Sequence, residues 1–159
     1  MIKEVRPTTN RALLALFSIL GNIKDKNFLD LFAGTGQVGR EALKRGAESC
    51  VFVESIKSRA ENIKEKVKDS IVLSLDIRRA ISWLVKREMT FDIIFADPPY
   101  NAGWCEELLT LQNLDKLFAP DCVFVFEHSV GEELLPPENF EIISERQYGQ
   151  TCLTFLKLC

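Results

Sequence analysis

Short apolar runs alternate with amphipathic stretches along most of this chain, and the alternation starts after one isolated helix. Leu13, Leu16, Phe17 and Leu20 recur at i, i+3, i+4 and i+7, the spacing of one helix face. The helix is expected from about Thr9 to Leu20, with Thr8 or Thr9 capping its start and Gly21 its end. Phe28 to Phe32 then reads as a buried strand, Gln37 to Arg45 as a helix ended by Gly46, and Cys50 to Val53 as a strand. Ile56 to Val67 is a helix with Ala60 and Ile63 inward, and Ile71 to Leu75 a strand. The next helix turns Ile77, Ala80, Ile81 and Leu84 to the core, and Asp92 to Ala96 and Cys122 to Phe126 are strands. Glu141 to Arg146 and Cys152 to Leu158 form a closing pair around Tyr148 and Gly149.

Seven strands alternating with helices imply an α/β fold, a mostly parallel sheet with helices on both faces. The final pair is joined too tightly for a crossover helix, which implies an antiparallel edge. The 159 residues suit one domain, 1–159, with 1–22 as an N-terminal helix and substrate-side segment and 28–159 as the core. No apolar run approaches the ~20 residues of a membrane span, and no secretory pattern opens the chain, so the expected location is cytoplasmic with no membrane partner.

Charge and cysteine usage refine this picture. The net charge of −3 disfavours nucleic acid at first sight, but residues 1–90 carry 17 basic against 11 acidic side chains and residues 91–159 carry 3 against 12. Phosphate binding needs local positive charge rather than a basic whole. Cys50, Cys105, Cys122, Cys152 and Cys159 are odd in number and contain no CxxC pair, which argues for reduced thiols, no disulfide framework and no metal site.

In such a sheet ligands bind at the carboxyl ends of the strands, and the informative residues lie there. Asp30 to Gly39 leaves a strand and enters a helix, and Gly34, Gly36 and Gly39 match GxGxxG. Glu54, 20 residues after Gly34, is placed to accept from ribose hydroxyls. These features fit a nicotinamide cofactor equally well. Asp30 tips the balance, because a carboxylate there opposes a pyrophosphate and suits a cofactor carrying an ammonium and a sulfonium. Asp76, ending the third strand, is placed to accept from an adenine amino group. Both acids also suit the ordinary task of capping a following helix.

Asp97-Pro98-Pro99-Tyr100 follows the fourth strand and is the most specific signal. Two prolines stiffen the loop. An exocyclic base amine is a poor nucleophile, and acceptors on its N–H groups, the Asp97 carboxylate and the Pro98 carbonyl, turn its lone pair toward an incoming methyl. Tyr100 offers a face for an extruded base. Trp104 is a candidate for the substrate mouth. Trp83 is expected in the core, and His128, the sole histidine, at a surface or strand end.

On these motifs the chain resembles the class I methyltransferases, with a Rossmann-like fold, and more narrowly the RsmD-like family of bacterial rRNA guanine-N2 methyltransferases. Arg6-Pro7-Thr8-Thr9-Asn10-Arg11 with Leu16-Phe17, the Asp30 to Gly36 loop, Glu41-Ala42-Leu43 into Arg45-Gly46-Ala47, the Asp97 to Tyr100 loop, and Tyr148-Gly149 with Thr151 carry the resemblance. It implies S-adenosyl-L-methionine as cofactor and methylation of one guanine of 16S rRNA, position 966 by rRNA numbering. It implies cofactor contacts from Asp30, Ala33, Gly34, Thr35, Gly36, Glu54, Asp76 and Ile77, base handling by Asp97, Pro98, Pro99 and Tyr100, and a substrate border of Arg6, Thr8 and Arg11. Family members usually carry a basic hairpin ahead of the Arg-Pro-Thr segment, where this sequence has five residues. That departure implies weaker RNA affinity, or help from a ribosomal protein beside the target in a partly or fully assembled small subunit. The rival readings are a DNA or RNA adenine-N6 methyltransferase, an NAD-binding oxidoreductase, and an inactive RNA- or protein-binding module.

Overall fold

A computed structural model describes residues 9–159. Helix α1 (Asn10–Leu20) begins where the Thr9 hydroxyl accepts from the Ala12 amide at 3.2 Å and ends at Gly21, whose φ of 70° only glycine adopts without strain. The chain then runs β1 (Asn27–Leu31), α2 (Gln37–Lys44), β2 (Ser49–Val53), α3 (Lys57–Lys66), β3 (Ile71–Leu73), α4 (Ile77–Lys86) and β4 (Phe91–Ala96). After α5 (Trp104–Glu107) and two 3-10 turns, Leu108–Thr110 and Leu114–Leu117, come β5 (Phe118–Ser129), β6 (Phe140–Tyr148) and β7 (Thr151–Leu158).

The seven strands form one sheet in the order β3-β2-β1-β4-β5-β7-β6. The first five in the chain pair parallel, and β7 slots antiparallel between β5 and β6. The outermost strand at this end is therefore β6, and the tight turn between Tyr148 and Thr151 permits only an antiparallel return. This is the Rossmann-like class I methyltransferase arrangement that the sequence implies.

Strand side chains alternate between two cores, as a pleated ribbon requires. Leu29, Leu31, Val51, Val53, Ile94, Ala96, Phe124 and Phe126 face α4, α5 and the 3-10 turns. Phe28, Phe52, Ile93, Phe95 and Val125 face α1, α2 and α3. Continuous apolar strands follow from cover on both sides.

Several boundaries differ from the sequence reading. β3 stops at Leu73, two residues early, because the chain turns there toward the α4 cap. β5 is longer at both ends. The stretch from Trp104 to Leu117 forms short helical turns, where apolar residues at no sustained period gave no element. No helix among the described residues is long and apolar enough to cross a membrane.

Candidate active site

Strand order reverses at β1, which has β2 on one side and β4 on the other. A crevice forms where consecutive connections diverge to opposite faces. Leu31 and Ala96, the last residues of β1 and β4, are register partners. The glycine-bearing loop and the diproline loop therefore leave the sheet side by side. A cavity of about 550 Å³ lies over them, lined by both loops and by the ends of β2 and β3.

The glycine loop is built for this turn. Phe32 takes φ 56° and Gly34 and Gly36 take φ 60° and 78°. The Ala33 amide donates to the Val53 carbonyl at 2.9 Å, which ties the loop to β2. Gly39, on the first turns of α2, allows that helix to lie on the sheet. A methyl at Gly39 would stand 2.4 Å from Phe52 Cε1 and 2.6 Å from Cys50 Sγ.

Two buried acids hold the same loop. Asp30 is 1 % exposed, and its Oδ2 accepts from the Gly39 amide at 3.0 Å. Burial pushes its carboxyl up to about 7, against the lowering effect of that hydrogen bond, with the charges of Glu54 and Glu127 acting in the same upward direction. Glu54 spans the base of the cavity. Its Oε1 accepts from the Gly34 amide at 2.9 Å and its Oε2 from the Ile56 amide at 2.8 Å. Each carboxylate oxygen keeps a lone pair for a further donor. Asp76 caps α4, accepting from the Arg79 amide at 3.0 Å, and also lines the cavity, so the capping and ligand-facing positions coincide.

At the other wall, Asp97 and Tyr100 are half-buried, Pro98 is buried and Pro99 exposed. The Tyr100 hydroxyl lies 3.2 Å from Thr151 Oγ1, which ties the diproline loop to the start of β7. Trp104 opens α5 at the rim, with Phe32 edge-on at 5.1 Å between ring centroids and the Arg78 guanidinium 5.5 Å from the indole centroid.

Of the sequence-predicted residues, Asp30, Ala33, Gly34, Thr35, Glu54, Asp76, Ile77, Asp97, Pro98, Pro99, Tyr100 and Trp104 all line this cavity. Gly36 sits behind it, shaping the turn against Ile63 and Phe52. Arg11 lies over the Tyr148 ring at 5.6 Å, outside the cavity lining. Arg6 and Thr8 fall outside the described residues. Sequence reasoning missed Phe32, Gln37, Arg59, Leu75 and Arg78, which also line the cavity. Their positions directly after β1 and around the starts of the following helices were the available signal. His128 sits at the end of β5 but is buried, not on the surface, with its Nε2 2.8 Å from Thr154 Oγ1. Trp83 is half-buried against the core.

The donor set shows which ligand fits. Four carboxylates, Asp30, Glu54, Asp76 and Asp97, line the cavity with two guanidiniums, Arg59 and Arg78. Gln37 Oε1 is buried with no hydrogen-bond partner, an acceptor waiting for a donor. Ala33, Val53, Leu75, Ile77 and Phe95 supply apolar walls. Acceptors beside apolar walls suit a ligand with hydroxyls, an ammonium and a flat ring, and Asp30 in its ionised form opposes a pyrophosphate.

Comparison with known proteins agrees. The family model described as Conserved hypothetical protein 95 matches residues 1–157. The chain is 37% identical over 163 residues to YlbH of Bacillus subtilis, covering 97% of this chain and 88% of that one. It is 32% identical over 154 residues to the Ribosomal RNA small subunit methyltransferase D of Escherichia coli K12, covering 92% and 76%. The solved structure of Escherichia coli yhhF superposes with a TM-score of 0.82 at 26% identity, covering 97% of this chain and 88% of that one.

Proposed function

This chain belongs to the Conserved hypothetical protein 95 family, that of the RsmD-like rRNA methyltransferases, and from that premise we propose that it methylates the exocyclic N2 of a guanine in 16S rRNA, guanine 966 by rRNA numbering. Its cofactor is S-adenosyl-L-methionine, and its reaction is methyl transfer to rRNA. The observation that supports methyl transfer to a base is the cavity joining the glycine loop to the Asp97–Tyr100 loop; the choice of guanine N2 and of its position follows from the family resemblance.

The cofactor supplies an electrophilic methyl on a sulfonium. Asp30, Glu54, Asp76 and Gln37 would hold it through its donor groups, and Ile77 and Leu75 would cover its flat ring. Tyr100 stacks on the flipped base, a contact worth roughly 1–3 kcal/mol. The Asp97 carboxylate and the Pro98 carbonyl accept from the guanine amino group and set its lone pair toward the methyl. The two prolines keep these acceptors fixed, so most of the acceleration comes from alignment. Trp104 at the rim borders the entering strand, as do Arg6, Thr8 and Arg11 by resemblance. The substrate in this reading is rRNA within a partly or fully assembled small subunit, with a neighbouring ribosomal protein as an added contact.

The test is transfer of labelled methyl from S-adenosylmethionine to 16S rRNA, naked and in subunits, followed by digestion to nucleosides. Methylguanosine is the expected product. Methyladenosine would replace this reading with the adenine-N6 one, and equal methylation of naked RNA and subunits would remove the ribosomal-protein contact.

A further inference from the structure

We propose that the exposed face of α4 is a track for the phosphate backbone of the RNA whose base enters the cavity; the partner's identity rests on the rRNA reading above. α4 buries Ile77, Ala80, Ile81 and Leu84 in the core. Its exposed side presents Arg79 and Lys86, with the half-buried Trp83 at its edge and Arg87 at the C-cap, a set spaced i, i+4, i+7 and i+8 that falls on neighbouring positions. A shallow groove runs along this face, lined by Arg78, Arg79, Ser82, Trp83, Lys86 and Arg87. Leu75 and Arg78 line both this groove and the cavity, so the two are continuous.

Three of the four charges in the groove, those of Arg79, Lys86 and Arg87, remain available to a ligand. Lys86 and Arg87 form no ion pair with any of the described residues. Arg79 reaches Asp76 only at 3.9 Å with both side chains well exposed, a pair worth little in water. Arg78 pairs with Glu107 and leans over Trp104. The Arg87 guanidinium lies 3.6 Å from the Trp83 ring centroid, and its Nη1 donates to the Trp83 carbonyl at 3.0 Å. This aromatic shelf fixes a cation at the groove wall, which lowers the entropy lost on phosphate binding. Cations interleaved with an aromatic, opening into a base-sized cavity, match a polyanion that delivers a base there. Four of the 17 basic residues in 1–90, Arg78, Arg79, Lys86 and Arg87, line this groove.

The test compares two charge-matched variants. K86Q/R87Q neutralises the end of α4, and K64Q/K66Q neutralises the last turn of α3 on the opposite face of the sheet. RNA affinity is measured on a 16S rRNA fragment from 50 to 200 mM salt, beside calorimetry with S-adenosylhomocysteine. For K86Q/R87Q, affinity is expected to fall several-fold and the log–log salt slope by about 1 to 2, since each lost phosphate contact removes roughly 0.7–0.9. K64Q/K66Q leaves both unchanged, and both variants keep wild-type affinity for S-adenosylhomocysteine. Equal effects of the two variants overturn the track. No effect of either overturns it too, and assigns the α4 face to solvent or to an acidic protein surface. Failure of the wild type to methylate rRNA, with the contrast between variants intact, defeats the rRNA reading and leaves the track.

Discussion

Leu31 on β1 and Ala96 on β4 stand in register at the carboxyl edge of the sheet, and this pairing sets the glycine loop beside the diproline loop. The chemistry of the site depends on that adjacency. It also separates two roles that mutation can test. Residues after Leu31 shape the cofactor half, and residues after Ala96 handle the acceptor half.

Asp97→Ala is therefore expected to retain affinity for S-adenosylhomocysteine within a few-fold while losing turnover by about 100-fold or more, the range of a lost positioning group. Calorimetry and single-turnover methyl transfer read the two halves separately. Unchanged turnover would remove Asp97 from the chemistry.

Tyr100 contributes a ring and a hydroxyl, and the hydroxyl is shared with Thr151 at 3.2 Å. Tyr100→Phe loses one hydrogen bond, about 0.5–1.5 kcal/mol, and is expected to slow methyl transfer by no more than about tenfold. Tyr100→Ala also loses the stacking face, roughly 1–3 kcal/mol more. Equal rates for the two variants would show that the ring takes no part.

Asp30 gives the site a pH dependence with a defined sign. Its carboxyl rises from 3.8 to about 7 on folding, chiefly through burial. The folded chain holds an extra proton in that window, so the associated stability is full below about pH 4 and is lost as pH rises to about 7. A cationic ligand favours the ionised carboxylate, so affinity for S-adenosylmethionine should increase from pH 6 to 8 with release of a proton. Calorimetry in buffers of different ionisation enthalpy measures this release. Asp30→Asn is expected to abolish it and to flatten the pH profile of stability.

Gly39→Ala tests the seat of α2. The added methyl meets Phe52 and Cys50 well inside contact distance, and overpacking of this kind costs about 1–3 kcal/mol. A lower urea midpoint with an unchanged slope is the expected outcome. A midpoint equal to the wild type would mean that α2 shifts freely and does not fix the loop.

Much of the fold was legible because both cores write a continuous apolar signature into β1, β2, β4 and β5, while glycines and capping residues mark the helix ends. Leu108, Leu109, Leu114 and Leu117 were not legible as elements, because they fill the core from short turns with no sustained period. The site was legible where chemistry demands a residue type, at Asp30, Glu54 and the Asp97 to Tyr100 loop. Gln37 and Arg78 were missed because a polar side chain at a helix start resembles any solvated position. Only the packed sheet brings them to the cavity. Asp76 illustrates the limit of a choice between cap and ligand contact, since one carboxylate occupies both places.

The most direct test of the central claim is a crystal structure of the chain with S-adenosylhomocysteine. The account predicts the ligand over the ends of β1, β2 and β3, its carboxylate-facing donors at Glu54 and Asp76 and its sulfur turned toward the Asp97–Tyr100 loop. A ligand bound elsewhere, or one whose sulfur points away from that loop, would contradict it.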